Sequence, residues 1–315
     1  MWESFLVSVN AVAPFLILLG IGALAIRMKW TGVSFMNRLN GLNFRLFFPF
    51  MMFNNIYGAN PEDMPSLALM LGGALSVIVV ILLLVLLVPR FVKENPRRGV
   101  IIQAIFRGNF VIYGIPLTTY VFGQEHASVC GVMVLIIVSI FNVASIIVLD
   151  LFRDDGKVTV KSLLLGLIKN PLLQGSLVGL VFYFFRIKLP PFLASPVSSL
   201  ATVATTLGMI VLGADLAFDQ MKANRKTILS VLGIRLILLP LIMVPLGYLI
   251  GLRGVELFLV LMIFGTPVAT ASFPMAQNMG GDGQLAGQLV FTSTVASLGT
   301  IFVFIYAMSR LGLLA

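Results

Sequence analysis

The chain has 315 residues, 59% of them hydrophobic and 10% charged, with a formal net charge of +9 and a mean hydropathy of +1.06. This balance excludes a water-soluble globular domain and a disordered chain alike, and leaves an all-α polytopic membrane protein.

A hydrocarbon core about 30 Å thick takes roughly 20 apolar residues per helix. Ten such spans are predicted, near 7–27, 38–57, 66–89, 100–122, 127–151, 163–186, 196–218, 227–250, 254–278 and 284–309. The first follows an acidic start, Met1 to Phe5, without a basic region, so it reads as a retained span and not as a cleaved leader. Of the 21 Lys and Arg, fourteen lie in or beside alternate connections, among them Arg97, Arg98, Lys157 and Arg225. Four lie on the opposite side: Arg186, Lys188, Arg253 and Arg310. By the positive-inside rule both termini are then extracytoplasmic in a cell membrane, and the basic excess is topology and no nucleic-acid footprint. The remaining three, Arg45, Arg107 and Arg235, fall within spans. The single Cys130 reads as a small core hydrophobe, and one Cys with one His makes neither a disulfide framework nor a metal site.

Pro14 and Gly22 in the first span are matched by Pro171 and Gly179 in the sixth, a separation of 157; Pro116 and Gly123 are matched by Pro274 and Gly281, a separation of 158. Offsets of about half the chain predict two repeats, 1–152 and 163–315, around a polar joint at 153–162. With five spans each, the second repeat enters the membrane inverted.

In the fourth span Pro116 deletes a helical hydrogen bond and frees the carbonyl of Ile112, with Gly114 weakening the helix beside it. Pro267 and Pro274 do the same in the ninth. Irregular backbone at membrane depth is tolerated where protein or a polar cavity satisfies it, so two corresponding breaks point to a site where they meet. Asn109, two helical turns before Pro116, projects to nearly the same side and can donate to a carboxylate. The competing expectations are structural proline kinks and an interhelical hydrogen bond from Asn109.

The stretch Gly108 to Leu117, "GNFVIYGIPL", resembles the N-x-x-x-x-G-I-P motif of the auxin efflux carrier family. The family includes plant auxin carriers and short prokaryotic organic-acid carriers. Similarity continues through "MNRLNGLNFRLFFPFMMF", "GLIKNPLLQGSLVGLVF", "ATTLGMIVLGADLA" and "FGTPVATASFPMAQ" in the family's order. The resemblance implies ten helices in a five-plus-five inverted repeat with crossed broken helices, like the bile acid/sodium symporter fold. It implies a scaffold of spans 1, 2, 6 and 7, a transport domain of spans 3–5 and 8–10, and elevator-type alternating access. It also implies that Asn109 and the backbone around Pro116 contact the substrate carboxylate, and that a homodimer would form through the scaffold. Plant members carry a second asparagine after the sixth-span Asn-Pro, where this chain has Leu172, and many have a long central loop. The first departure argues against an auxin-type pocket, and the short joint favours the prokaryotic branch, whose members are associated with acids such as malate or malonate.

The predicted substrate contacts are Asn109, Arg107, Tyr113, Gly114 and Pro116, and the predicted crossover comprises Pro116, Thr266, Pro267, Pro274, Gln277 and Asn278. Arg107 either offers a carboxylate a planar two-donor fork, or pairs with an acid such as Asp215, or is solvated at a cavity mouth. Asp215 is itself the candidate proton-coupling residue, set against a structural ion pair. Sodium coupling is the alternative, through Thr266, Gln277, Asn278 and unwound carbonyls, with Asp282 the nearest acid. Arg45, Asn43 and Asn40 read as a structural network on the second span. No cofactor or enzymatic constellation is expected. The expected function is secondary transport of a small organic anion; the rival readings are a sodium-coupled symporter and a non-transporting membrane ligand sensor.

Overall fold

The computed structural model describes Pro14 and residues 17–57, 65–123, 126–153, 168–215 and 218–314. Most of the N-terminal half of the first predicted span, and the predicted joint beyond Arg153, lie outside these residues. The described elements are helices: α1 (Ile17–Arg27), α2 (Val33–Leu42), α3 (Phe48–Tyr57), α4 (Leu67–Phe91), α5 (Asn95–Phe106), α6 (Phe110–Phe122) and α7 (Ala127–Leu151). They continue with α8 (Pro171–Phe184), α9 (Pro191–Asp215), α10 (Phe218–Gly233), α11 (Leu239–Leu249), α12 (Gly254–Gly265), α13 (Ser272–Asn278) and α14 (Gly283–Arg310). Five stretches, including α4 and α14, are long and apolar enough to cross a membrane. The protein is therefore a multi-pass membrane protein.

Two helices are widened without being broken. A π turn at Asn43–Phe47 joins α2 to α3, and another at Ile234–Leu238 joins α10 to α11. Each is followed, after one intervening residue, by a proline, Pro49 and Pro240. Proline has no N–H and crowds the carbonyl four residues back, so the preceding turn relaxes outward to clear it.

Packing divides the helices into two groups. In one, α3 lies along α8 and α9, and α2 packs on α9. In the other, α4, α5 and α6 pack on α7, α11 on α12, and α10 and α13 on α14. Contact between the groups is sparser, through α3 and α8 against α7 and through α13 against α2. With no hydrophobic drive between helices in lipid, small residues allow the close approach that packing requires. A Cβ on Gly175 of α8 would sit 2.2 Å from the carbonyl oxygen of Pro49, and one on Gly22 of α1 would sit 1.9 Å from that of Ile210. Because backbone cannot rotate aside as a side chain can, Gly175→Ala is expected to destabilise the protein by about 1–3 kcal/mol. A lowered unfolding midpoint in detergent checks this.

Candidate functional site

The site is built from two helix interruptions that meet. Thr266 precedes Pro267, which drives it into extended backbone (φ −72°, ψ 153°) and ends α12 at Gly265. The first interruption has no proline. Between α5 and α6 the chain runs through Arg107, Gly108 and Asn109, with Arg107 extended at φ −91°, ψ 95°. The two irregular strands satisfy each other: Asn109 N–H donates to the Pro267 carbonyl at 2.8 Å and Ala269 N–H to the Arg107 carbonyl at 3.0 Å. Gly108 and Val268 thus face each other in a single antiparallel bridge, and Val268 N–H donates to Ser293 Oγ at 3.0 Å. Backbone that leaves the helical ladder at membrane depth is here paired with protein.

This corrects the position read from the prolines. The interruption lies at 107–109 and not at Pro116, which is the seventh residue of α6. Pro274 likewise lies within α13, in its first turn, where N–H groups have no intrahelical acceptor and a proline costs little. Asn109 has non-helical backbone (φ −82°, ψ 51°) as the residue that begins α6, so the helical-face alignment with Pro116 does not apply.

A cavity of about 200 Å³ opens beside the crossing. It lies between the two packing groups, walled by α3 and α9 on one side and by both interruptions, the start of α6 and α7 on the other. Its polar lining comes from Asn54, Asn55, Arg107, Asn109, Thr202, Thr205 and Thr270, and no acidic residue is among the described lining. The N–H groups of the first turn of α6 have no helical acceptors, and Phe110, Val111 and Ile112 of that turn line the same space. Asn109, 6% exposed, uses its backbone in the crossing and makes no side-chain hydrogen bond to a described residue, so its amide is available to a ligand.

Two buried arginines flank the crossing. Arg107 donates from Nη2 to Asn142 Oδ1 at 2.8 Å and from Nη1 to Met275 Sδ at 2.9 Å. These partners are neutral, and among the described residues no carboxylate reaches it. Asn142 in turn donates to Met52 Sδ of α3 at 3.0 Å and Ser176 Oγ of α8 at 3.2 Å. It therefore links the arginine to the other packing group. Arg235, in the π turn after α10, is fully buried and donates to the carbonyls of Ile105, Phe106, Ile263 and Thr266. Those are the C-terminal ends of both interrupted half-helices, α5 and α12.

The other predicted residues are dispersed. Thr266 and Pro267 lie at the crossing. Tyr113 is buried in the core and does not line the cavity, and Gly114 packs against Cys130 and the Phe110 ring. Gln277 is held by Asn40 and Asn37 of α2, and Asn278 donates to the Pro274 carbonyl of its own helix. Neither shares a cluster with Thr266. Asp282 caps α14 through Leu285 N–H. On the second span, Asn40 and Asn43 are buried and bond to α13 and α9, whereas Arg45 is exposed and stands apart from them. The side chains of Pro116 and Asp215 lie outside the described residues.

Arg235 and Asn142 escaped the sequence reading. Arg235 stood out only as a charge within a span, and nothing nearby in the chain named its acceptors, which lie 28 to 31 and 129 to 130 residues away. Asn142 sits alone in an apolar run, and its partners are likewise remote. Comparison with known families matches residues 7–305 to the family described as membrane transport protein. No curated protein matches the chain.

Proposed function

The chain belongs to the membrane transport protein family, that of the auxin efflux carriers, and from that premise we propose that it is a secondary transporter of small organic anions. The observation that carries this reading is the lining of the cavity at the crossing, which holds an arginine and three asparagines and no described acid. A carboxylate would accept from Asn109 and from the free N–H groups at the start of α6, with the buried charge of Arg107 behind them. A space of about 200 Å³ is smaller than the roughly 300 Å³ at which pockets for drug-sized ligands begin. That favours acids the size of malonate or malate over larger aromatic ones.

The same reading assigns ten spans. The interrupted fourth is α5 with α6, and the interrupted ninth is α12 with α13, in inverted repeats of five. The cavity's position between two packing groups supports an elevator movement, in which the group bearing the crossing carries the anion past α3, α8 and α9. Anion export from a cell interior-negative by 100 mV is favoured by about 2.3 kcal/mol per charge, so efflux needs no coupled ion.

Flux of labelled malate, malonate and indole-3-acetate into proteoliposomes, under sodium, proton and voltage gradients imposed singly, tests the proposal. Asn109→Ala is expected to weaken binding by about tenfold to a hundredfold, the worth of a hydrogen bond to a charged group, while the protein remains folded. Unchanged affinity would remove Asn109 from the site, and saturable binding without flux would make the protein a sensor instead.

A further inference from the structure

We infer that Arg235 is a resident cation of the crossing: its guanidinium occupies the oxygen-lined position that a coupling cation would otherwise fill, and transport therefore proceeds without sodium. Five oxygens converge on it. They are the carbonyls of Thr266 at 2.9 Å from Nε, Ile263 at 2.8 Å from Nη2, and Ile105 and Phe106 at 3.1 and 3.2 Å from Nη1, with Thr266 Oγ1 at 3.3 Å from Nη2. Carbonyl and hydroxyl oxygens are the ligands of hard cations. Unwound backbone and half-helix C-termini are where transporters coordinate sodium. Here those ends carry the negative poles of α5 and α12, and a covalently attached positive charge already sits among them.

The surroundings are shaped for that charge. Gly108 has no Cβ where one would lie 1.7 Å from Arg235 Nη2. Thr266 presents both its carbonyl and its hydroxyl to the guanidinium, and the π turn places Arg235 at the level of both interruptions. Of the polar side chains that would otherwise complete a sodium shell, Gln277 has its amide oxygen taken by Asn40 of α2, and Asn278 donates to the Pro274 carbonyl within α13 and makes no bond to Arg235 or Thr266. A purely structural pin would use the same hydrogen bonds, so the two roles separate only when the guanidinium is removed and a cation is offered in its place.

Arg235→Ala leaves the five oxygens without a charge. In detergent, the unfolding midpoint of the wild type is expected to be the same in sodium chloride and in choline chloride at equal ionic strength. For Arg235→Ala the midpoint should rise by several degrees in sodium over choline, saturably, as a ligand-linked shift does. If Arg235→Ala is recovered folded only when purified in sodium, the inference also stands. If it is equally stable in both salts, or recovered folded in neither, the inference is overturned. Arg235→Lys, which returns an ammonium to the same oxygens, is expected to fold and to be indifferent to sodium; a sodium-dependent midpoint in that variant or in the wild type would likewise overturn it. The consequence for coupling rests on the carrier reading, but the stability measurement does not. A sodium shift in Arg235→Ala without flux of any acid would retain the resident cation and discard the carrier.

Discussion

Gly108→Ala is expected to destabilise the protein by about 3 kcal/mol or more, the largest loss of any glycine substitution outside the helix contacts. The added methyl would lie 1.7 Å from Nη2 and 2.9 Å from Cζ of Arg235, and 2.5 Å from Thr266 Oγ1. Neither neighbour can yield cheaply. Moving the guanidinium leaves four carbonyls and a buried charge without their partners, and breaking such a network is among the few routes to a large single-site loss. The antiparallel bridge to Val268 is strained by the same displacement. Thermal unfolding of the purified protein checks the expectation, with Gly233→Ala as the comparison, because a Cβ there meets nothing within 4 Å. Since the steric cause is one identified side chain, Gly108→Ala combined with Arg235→Ala should be less destabilising than the sum of the two. An unaltered midpoint in Gly108→Ala would mean that the guanidinium has room to move, and would weaken its role as a fixed charge.

The parts of this structure that local chemistry controls were legible in the chain. Long apolar runs such as Leu67–Phe91 and Gly283–Arg310 follow from composition alone. The interruption after α12 follows from Thr266-Pro267, because a residue before proline leaves the helical region. The interruption after α5 was misplaced for the complementary reason. Pro116 is conspicuous, yet a helix absorbs it, whereas Arg107 to Asn109 depart from the helix because the partner strand at 267–269 accepts and donates in return. That stabilisation is 160 residues away in sequence. The same holds for Arg235, whose meaning depends on which carbonyls two other helices leave open. Asn109 is singled out in the sequence by its place two turns before Pro116, and it does line the cavity, but as a residue with non-helical backbone beside the interruption and not through that helical spacing. Tyr113, expected among the substrate contacts, is buried in the core and does not line the cavity.

Arg107→Gln should separate stability from ligand affinity, in opposite directions. Arg107 is 3% exposed, and its described partners are the amide oxygen of Asn142 and the sulfur of Met275. A guanidinium remains charged in a protein, and an uncompensated charge at membrane depth costs several kcal/mol. Among the described residues nothing offsets that cost in the unliganded protein, and a bound carboxylate would relieve it. Glutamine keeps a donor for Asn142 and removes the charge. Arg107→Gln is therefore expected to hold or raise the unfolding midpoint without ligand and to weaken anion binding by about 2 kcal/mol or more, some thirtyfold. Arg107→Lys, which keeps the charge but loses the planar fork, should fall between the two in affinity. Midpoints recorded against a malonate titration for the three proteins measure both quantities at once. Loss of unliganded stability in Arg107→Gln, with malonate affinity unchanged, would mean that a carboxylate of the chain already neutralises the arginine, and the positive side of the cavity would then have to come from the start of α6 alone.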